Sequence, residues 1–200
     1  MDLGLDGKAA IVTGGSRGIG RATALGLAAE GCGVAICGRG SDDIDRALVD
    51  LRQVSNRAWG QVADVTSFAD VNSFVDGAVR ELGGIDALVC NVGGFSGGET
   101  LDATDEDWMA TLDMNLMHAV RTIRATVPHM KSRDHASIVI VSSISGWKPG
   151  PRAQYGAAKA AEIFLASSLA WDLAADHIRV NTICPGSIYF ATSGWADYER

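Results

Sequence analysis

Short apolar runs alternate along this chain with longer segments whose apolar positions recur every three or four residues. The runs at 8–12, 33–37, 58–65, 85–90, 137–141 and 179–183 are nearly continuous in apolar or β-branched residues, which predicts buried strands. The segments at 21–30, 41–55, 67–82, 104–130 and 152–175 carry helical periodicity. Ser41 is the expected cap of the second helix, with Asp42 and Asp43 in its first turn, and Asp105, Glu106 and Asp107 suit the start of the fourth. Pro128 leaves the last turn of that fourth helix open. Strict alternation of strand and helix is the pattern of a parallel sheet covered on both faces. Right-handed crossovers with one reversal predict strand order 3-2-1-4-5-6, a Rossmann-like doubly wound α/β fold in one domain over residues 1–200. Ligands of such sheets sit at the carboxyl ends of the strands. The sequence shows no internal repeat, low-complexity tract or linker.

The first strand runs into Thr13-Gly14-Gly15-Ser16-Arg17-Gly18-Ile19-Gly20. A glycine-rich turn there lets the backbone approach a pyrophosphate, and the helix N-terminus adds free N–H groups and the positive end of its dipole. Gly14, Gly18 and Gly20 lack the G-x-G-x-x-G spacing, and glycines also make tight turns with no chemistry attached, so the turn draws its weight from its place after the first strand. The second strand ends in Gly38-Arg39-Gly40, where folds of this kind meet the adenosine ribose. An acid there binds a 2′-hydroxyl. Arg39, with Arg17 from the turn, suits a 2′-phosphate through bidentate guanidinium contact. The pair predicts NADP(H) over NAD(H), against the plainer alternative of two surface arginines. Asn91-Val92-Gly93-Gly94 closes the fourth strand with small residues that also permit close approach.

Ser142-Ser143-Ile144-Ser145 closes the fifth strand. Beyond a loop with Pro149, Gly150 and Pro151, the last helix opens with Tyr155 and Lys159. Four residues apart, these two share a helix face. A free phenol has a pKa of about 10 and exchanges protons poorly at neutral pH. A fixed cation beside it favours the phenolate. Tyr155 and Lys159 therefore make a candidate acid–base pair, with a serine hydroxyl from the strand end in reach. On an ordinary amphipathic helix the same two residues would be an exposed aromatic and a solvated charge.

Composition narrows the function classes. Hydrophobic residues are 47% and charged residues 20%, as in ordinary globular domains, and the net charge is −7. Without a Lys/Arg cluster, a nucleic-acid or anionic-membrane surface is not expected. No apolar run has the length to span a bilayer, and residues 1–6 lack a signal-peptide core, so a cytoplasmic protein is expected. Cys32, Cys37, Cys90 and Cys184 are widely spaced and read as buried free thiols. His118, His129, His135 and His177 have no metal-ligand spacing and read as structural or exposed.

Taken in order, Thr13 to Gly20, Asp64-Val65, Asn91-Val92-Gly93, Asn115, Ser143, Tyr155-x-x-x-Lys159 and Pro185-Gly186 resemble the short-chain dehydrogenase/reductase family over essentially the whole chain, with 3-oxoacyl-carrier-protein reductase-like members as the default likeness. The resemblance implies a nicotinamide-dependent oxidoreductase acting on a small-molecule carbonyl/alcohol pair. It implies a catalytic set of Asn115, Ser143, Tyr155 and Lys159. Tyr155 exchanges the proton with the substrate oxygen, and Ser143 holds that oxygen. Lys159 lowers the Tyr155 pKa and binds the nicotinamide ribose. Asn115 kinks its helix and holds a relay water. It implies a cofactor cradle of Gly14, Ser16, Arg17, Gly18, Ile19, Gly20, Arg39, Asp64, Val65, Asn91, Gly93, Tyr155, Lys159, Pro185, Gly186 and Ile188, no metal, and a homodimer or homotetramer built on the helices at 104–130 and 152–175. An acidic surface argues mildly against docking an acidic carrier protein.

The serine stays open between two positions. Counting back from Tyr155 picks Ser142, whereas anchoring on the strand end picks Ser143, with one residue deleted from the loop. Three departures from the family pattern are expected to matter: Val92 for an alanine, Phe190 for a threonine, and a chain of 200 residues where the family runs to about 250, so that a seventh strand and much of the substrate cover would lie beyond it. Trp147, Phe95, Trp195 and Tyr189 are candidates for an apolar pocket rim. A nucleotide-binding sensor or scaffold of the same fold, without catalysis, is the alternative function.

Overall fold

The computed structural model describes residues 2–189; Phe190 and Trp195, both singled out above, lie outside the described residues. Six strands, β1 (Ala9–Thr13), β2 (Gly33–Gly38), β3 (Ala58–Val62), β4 (Ala87–Cys90), β5 (Ala136–Val141) and β6 (Ile178–Ile183), form one parallel sheet in the order β3-β2-β1-β4-β5-β6. The predicted order is the observed one. β1 lies at the reversal, with Val12 paired to Ile36 on one side and to Val89 on the other.

Alternate residues of each strand point to opposite faces, so one strand feeds two cores. Ile11, Leu88, Ile138 and Ile178 belong to a cluster with Phe74 and Val75 of α3 (Phe68–Leu82), Ile123 and Met130 of α5 (His118–Met130), and Ala166 of α6 (Ala153–Asp172). Val12, Ile36, Val89 and Val141 belong to the other, with Ala24 and Ala28 of α1 (Gly18–Ala29) and Ile44, Leu48 and Leu51 of α2 (Ser41–Val54). This two-sided burial is why the strands read as continuous apolar runs.

Several expected boundaries move for physical reasons. Ser41 is the first residue of α2, not its cap; Gly40 stands at that place in extended conformation, and no side chain caps the helix. β3 stops at Val62 rather than Val65 because Asp64 leaves the sheet to open the turn into α3: its N–H donates to the Asp70 carboxylate, while its own carboxylate accepts from Thr66. The predicted helix at 104–130 is three pieces: α4 (Asp105–Leu112), a wide π-type turn at Asp113–Met117, and α5. Thr104 and Asp107 start α4 with a reciprocal capping box. Pro128 is accommodated within the last turn of α5. Cys32, Cys37 and Cys90 are buried free thiols as expected, but Cys184, one residue past β6, is only half-buried.

Candidate active site

All six strands point the same way, so their carboxyl ends share one edge of the sheet, and the functional candidates gather there. At the end of β1 the chain turns through Gly14, whose φ is +63° and where a side chain would run into Val92. Asn91, at the end of β4, pins this turn: its Nδ2 donates to the carbonyls of Thr13 at 3.0 Å and Gly14 at 3.3 Å. Its observed work is thus to hold the glycine turn. The turn delivers the chain to α1, whose N-cap position, Arg17, provides no side-chain cap. The N–H groups of Gly18, Ile19 and Gly20 open the helix with no side chain covering them, an arrangement suited to an anion.

The ends of β2 and β3 flank the turn. The Ser16 hydroxyl lies against Gly38, and Arg39 follows in an exposed position. Arg17 and Arg39 make no ion pair among the described residues. Hydrogen bonds from the Thr66 N–H and hydroxyl, helped by the charge of Arg39, hold the Asp64 carboxyl below the usual carboxylate range, so it is ionised at neutral pH. The Val65 side chain belongs to the buried core, which leaves its backbone for any ligand.

On the other side of β1, Ser143 and Tyr155 line one cavity of about 920 Å³ together with Gly94, Phe95, Trp147 and Gly186. The two predicted rim aromatics Phe95 and Trp147 line it; Tyr189 is exposed and does not. Phe95 meets the Tyr155 ring edge-on at 6.3 Å, and Arg152 stacks on Phe95 at 4.1 Å. Gln154, wholly buried, donates to the carbonyls of Ser96 and Gly98 and ties the loop after β4 to the start of α6. Behind Ser143 the Ile144 N–H donates to the Pro185 carbonyl at 3.1 Å, which joins the chain just after β5 to the chain just after β6.

The two serines part here. Ser142 is buried, and its hydroxyl donates to the Lys159 carbonyl at 2.8 Å, so it is spent on fixing α6. Ser143 is half-buried on the cavity wall, accepts from the Ser145 N–H at 3.1 Å, and its hydroxyl faces the Tyr155 phenol. Strand-end anchoring thus matches the geometry better than counting back from Tyr155 does.

Lys159 is only 2% exposed. Its Nζ donates to the Val141 carbonyl at 3.0 Å and to both oxygens of Glu162, at 3.1 and 3.0 Å. It lies 5.7 Å from the Tyr155 ring. Burial pushes the Tyr155 phenol up, the Ser143 hydroxyl pulls it down, and the Glu162 charge pushes it up again; the net result is above the ordinary tyrosine value. That corrects the expectation drawn from the Tyr155–Lys159 spacing. The lysine's charge is matched by a carboxylate the spacing argument did not weigh.

Gly93 shows how tightly this region is packed: a side chain there would meet Lys159 Nζ at 2.9 Å and Asn115 Oδ1 at 3.0 Å. Asn115 sits wholly buried in the π turn. Its Nδ2 donates to the carbonyls of Gly94 at 2.7 Å and Thr111 at 2.6 Å, and its Oδ1 accepts from the Gly94 N–H at 3.2 Å. His118, also wholly buried, donates from Nδ1 to the Asn115 carbonyl at 2.9 Å, which leaves Nε2 to accept from the Thr13 hydroxyl at 3.1 Å. Burial pulls His118 down to about 4, so it is neutral at pH 7.

Of the expected residues, the structure brings Ser143, Tyr155 and Lys159 together with Asn115 behind them, and sets Gly14, Ser16, Arg17, Gly18, Ile19, Gly20, Arg39 and Asp64 along the same edge of the sheet. Ile188 is exposed beyond Gly186. His118, read as structural or exposed, is structural and buried; Glu162 and Gln154 were missed. Glu162 was findable, since it lies three residues from Lys159 and so shares its helix face. Among the described residues no cluster of His, Cys, Asp and Glu could hold a metal ion, and no helix is long and apolar enough to cross a membrane.

A doubly wound sheet with a glycine turn at its reversal and a phenol, a hydroxyl and a lysine beside it defines a dinucleotide-dependent α/β oxidoreductase. The family model described as "short chain dehydrogenase" matches residues 8–198, and the chain belongs to that family, whose members are NAD(P)-dependent oxidoreductases interconverting carbonyls and alcohols. Dehydrogenase/reductase SDR family member 4 of Homo sapiens is 38% identical over 201 residues, covering 98% of this chain and 72% of the relative. The structure of L-sorbose reductase from Gluconobacter frateurii with NADPH and L-sorbose aligns with a TM-score of 0.91 at 35% identity, over 94% of this chain and 73% of that one. NAD+-bound xylitol dehydrogenase aligns at 0.87 and 35% identity, over 91% and 71%.

Proposed function

We propose that this chain is an NADP(H)-dependent carbonyl reductase or alcohol dehydrogenase in which Tyr155 is the acid/base, Ser143 holds the substrate oxygen, and Lys159 and Asn115 support them. The observation that carries this reading is the meeting of Ser143 and Tyr155, from different elements, on one cavity at the sheet edge that also carries the glycine turn. A nicotinamide dinucleotide fits the residues present: the uncapped start of α1 and the side-chain-free turn at Gly14 suit its pyrophosphate, and the Arg17/Arg39 pair suits a 2′-phosphate. When bound, the nicotinamide supplies the hydride to the carbonyl carbon or takes it from the alcohol.

In reduction, Tyr155 donates its phenolic proton to the carbonyl oxygen while Ser143 donates a hydrogen bond to the same oxygen. The raised Tyr155 pKa suits this direction, because the phenol is fully protonated at neutral pH. In oxidation the phenolate must form first. Among the described residues Lys148 and Arg152 line the cavity and no carboxylate does, which favours neutral or anionic carbonyl substrates over cationic ones.

Two further parts of the reading concern the whole protein. The chain associates with copies of itself through the exposed apolar residues of α4 and α6. It works in the reducing cytoplasm, which suits its free thiols. The test of the cofactor and reaction assignments is parallel titration with NADPH and NADH, followed by turnover on a panel of ketones and aldehydes. Tighter binding of NADPH, reversed in Arg39→Asp with a loss of about tenfold or more for NADPH, supports the assignment. Equal binding of both cofactors contradicts the NADP(H) assignment, whereas cofactor binding with no turnover on any carbonyl contradicts the reaction assignment and favours a nucleotide sensor.

A further inference from the structure

Glu162 lies on the buried side of α6, three residues beyond Lys159, and is 1% exposed. A carboxylate in that place is costly unless a cation meets it. Here the cation is Lys159, whose three N–H donors are all engaged: two by the Glu162 oxygens and one by the Val141 carbonyl at the end of β5. None remains for a ribose hydroxyl. Other groups also face the pair: Cys90 from β4, Ser142 just after β5, Cys184 after β6, His118 from α5, and Tyr155 from the first turn of α6. Burial keeps Cys90 a thiol and His118 neutral, and Glu162 is the only carboxylate facing the lysine among the described residues.

We infer that Glu162 is a positioning residue for Lys159: its buried carboxylate holds the ammonium in the core and matches its charge, so the lysine reaches a bound ribose only when that pair opens. The inference rests on the assignment of Tyr155 and Lys159 to the proposed reaction. It has two consequences. Cofactor affinity is reduced by the fraction of molecules in which the pair is open. Tyr155 also feels the lysine's charge only in that open state, which agrees with its raised pKa when the pair is closed.

The test uses Glu162→Gln, which keeps the shape and removes the charge, and Glu162→Asp, which keeps the charge. Burial lowers the Lys159 pKa while Glu162 raises it, so the readouts on Glu162→Gln are taken at a pH where the ammonium persists. Three readouts are expected to move in Glu162→Gln. NADPH should bind about three- to tenfold tighter. The Tyr155 phenol, titrated by ultraviolet absorbance against a Tyr155→Phe blank, should ionise roughly one pH unit lower. The acid limb of alcohol oxidation should shift to lower pH with it. Glu162→Asp should stay near the unchanged protein in all three.

A Glu162→Gln protein that loses thermal stability but keeps the original NADPH affinity and phenol titration overturns the inference, because the pair is then structural only. If that variant does not fold, the unchanged protein still decides. Its Tyr155 titration should fall on saturation with NADPH, and an unmoved midpoint overturns the inference. The two assignments fail separately. Retained turnover in Tyr155→Phe sinks the reaction assignment, whereas an inactive Tyr155→Phe with unmoved titrations sinks only the role of Glu162.

Discussion

His118 joins three parts of the site through one neutral ring: the end of β1 through Thr13, the π turn through the Asn115 carbonyl, and α5, on which it sits. Its burial has a pH cost with a definite sign. The folded value is about 4, below the ordinary value near 6.5, so between those pH values the unfolded chain binds a proton that the folded chain does not. Stability therefore falls as pH drops from about 6.5 to about 4 and levels off below. Urea unfolding at pH 7 and pH 4 should show the unchanged protein losing about 3 kcal/mol relative to His118→Asn, which keeps a donor and cannot titrate. Parallel pH dependence in the two proteins would contradict this. Asp86, where burial is outweighed by Arg133, the Ala9 N–H and Lys8, and Asp107, held down by Ser96 and Thr104, lose their contributions from about pH 5 downwards, overlapping only the acid end of the histidine window.

Residue types alone gave some of this site and hid the rest. The Tyr155–Lys159 spacing is local, and an α-helix converts it directly into a shared face. The choice between Ser142 and Ser143 needed the strand end, because adjacent strand residues point to opposite sides and only the fold says which side holds Tyr155. Glu162 was passed over because a glutamate in mid-helix is ordinarily a solvated residue, and its burial depends on α6 packing across β5 and β6.

The elements themselves were legible where one period ran unbroken. All six strands and the bodies of α1, α2, α3 and α6 follow from apolar periodicity. What periodicity did not contain was the π turn at Asp113–Met117, where one turn widens and Asn115 turns inward to bond the Gly94 backbone. Such a turn is stabilised by partners distant in sequence: Asn115 bonds the Gly94 backbone, and His118 bonds Thr13 at the end of β1. Its inward asparagine and the absent side chain at Gly93 are two halves of one packing solution, since any side chain at 93 would strike both Asn115 and Lys159.

For the whole molecule, topology was the easiest property to read. Alternation of strand and helix, right-handed crossovers and one reversal leave few strand orders, and the observed one is among them. The molecular surface adds what alternation cannot: Phe164 and Trp171, 74% and 86% exposed, stand seven residues apart on one face of α6, with Met109 exposed on α4. Large apolar side chains so displayed fit a surface covered by a second copy. Sedimentation equilibrium at micromolar concentration should report a dimer or larger, and the double variant Phe164→Asp/Trp171→Asp a monomer. A monomeric unchanged protein would contradict the assignment of that face.

The claim on which the account depends is that one phenol at this cavity moves the proton that accompanies reduction of a carbonyl. The most direct measurement is a single turnover with NADPH already bound, comparing the unchanged chain and Tyr155→Phe on a carbonyl the unchanged chain reduces. The account predicts that NADPH binds both proteins alike and that the reduction rate of Tyr155→Phe falls by about 10²- to 10⁴-fold. Equal rates in the two proteins would show that the proton comes from elsewhere and would contradict the account.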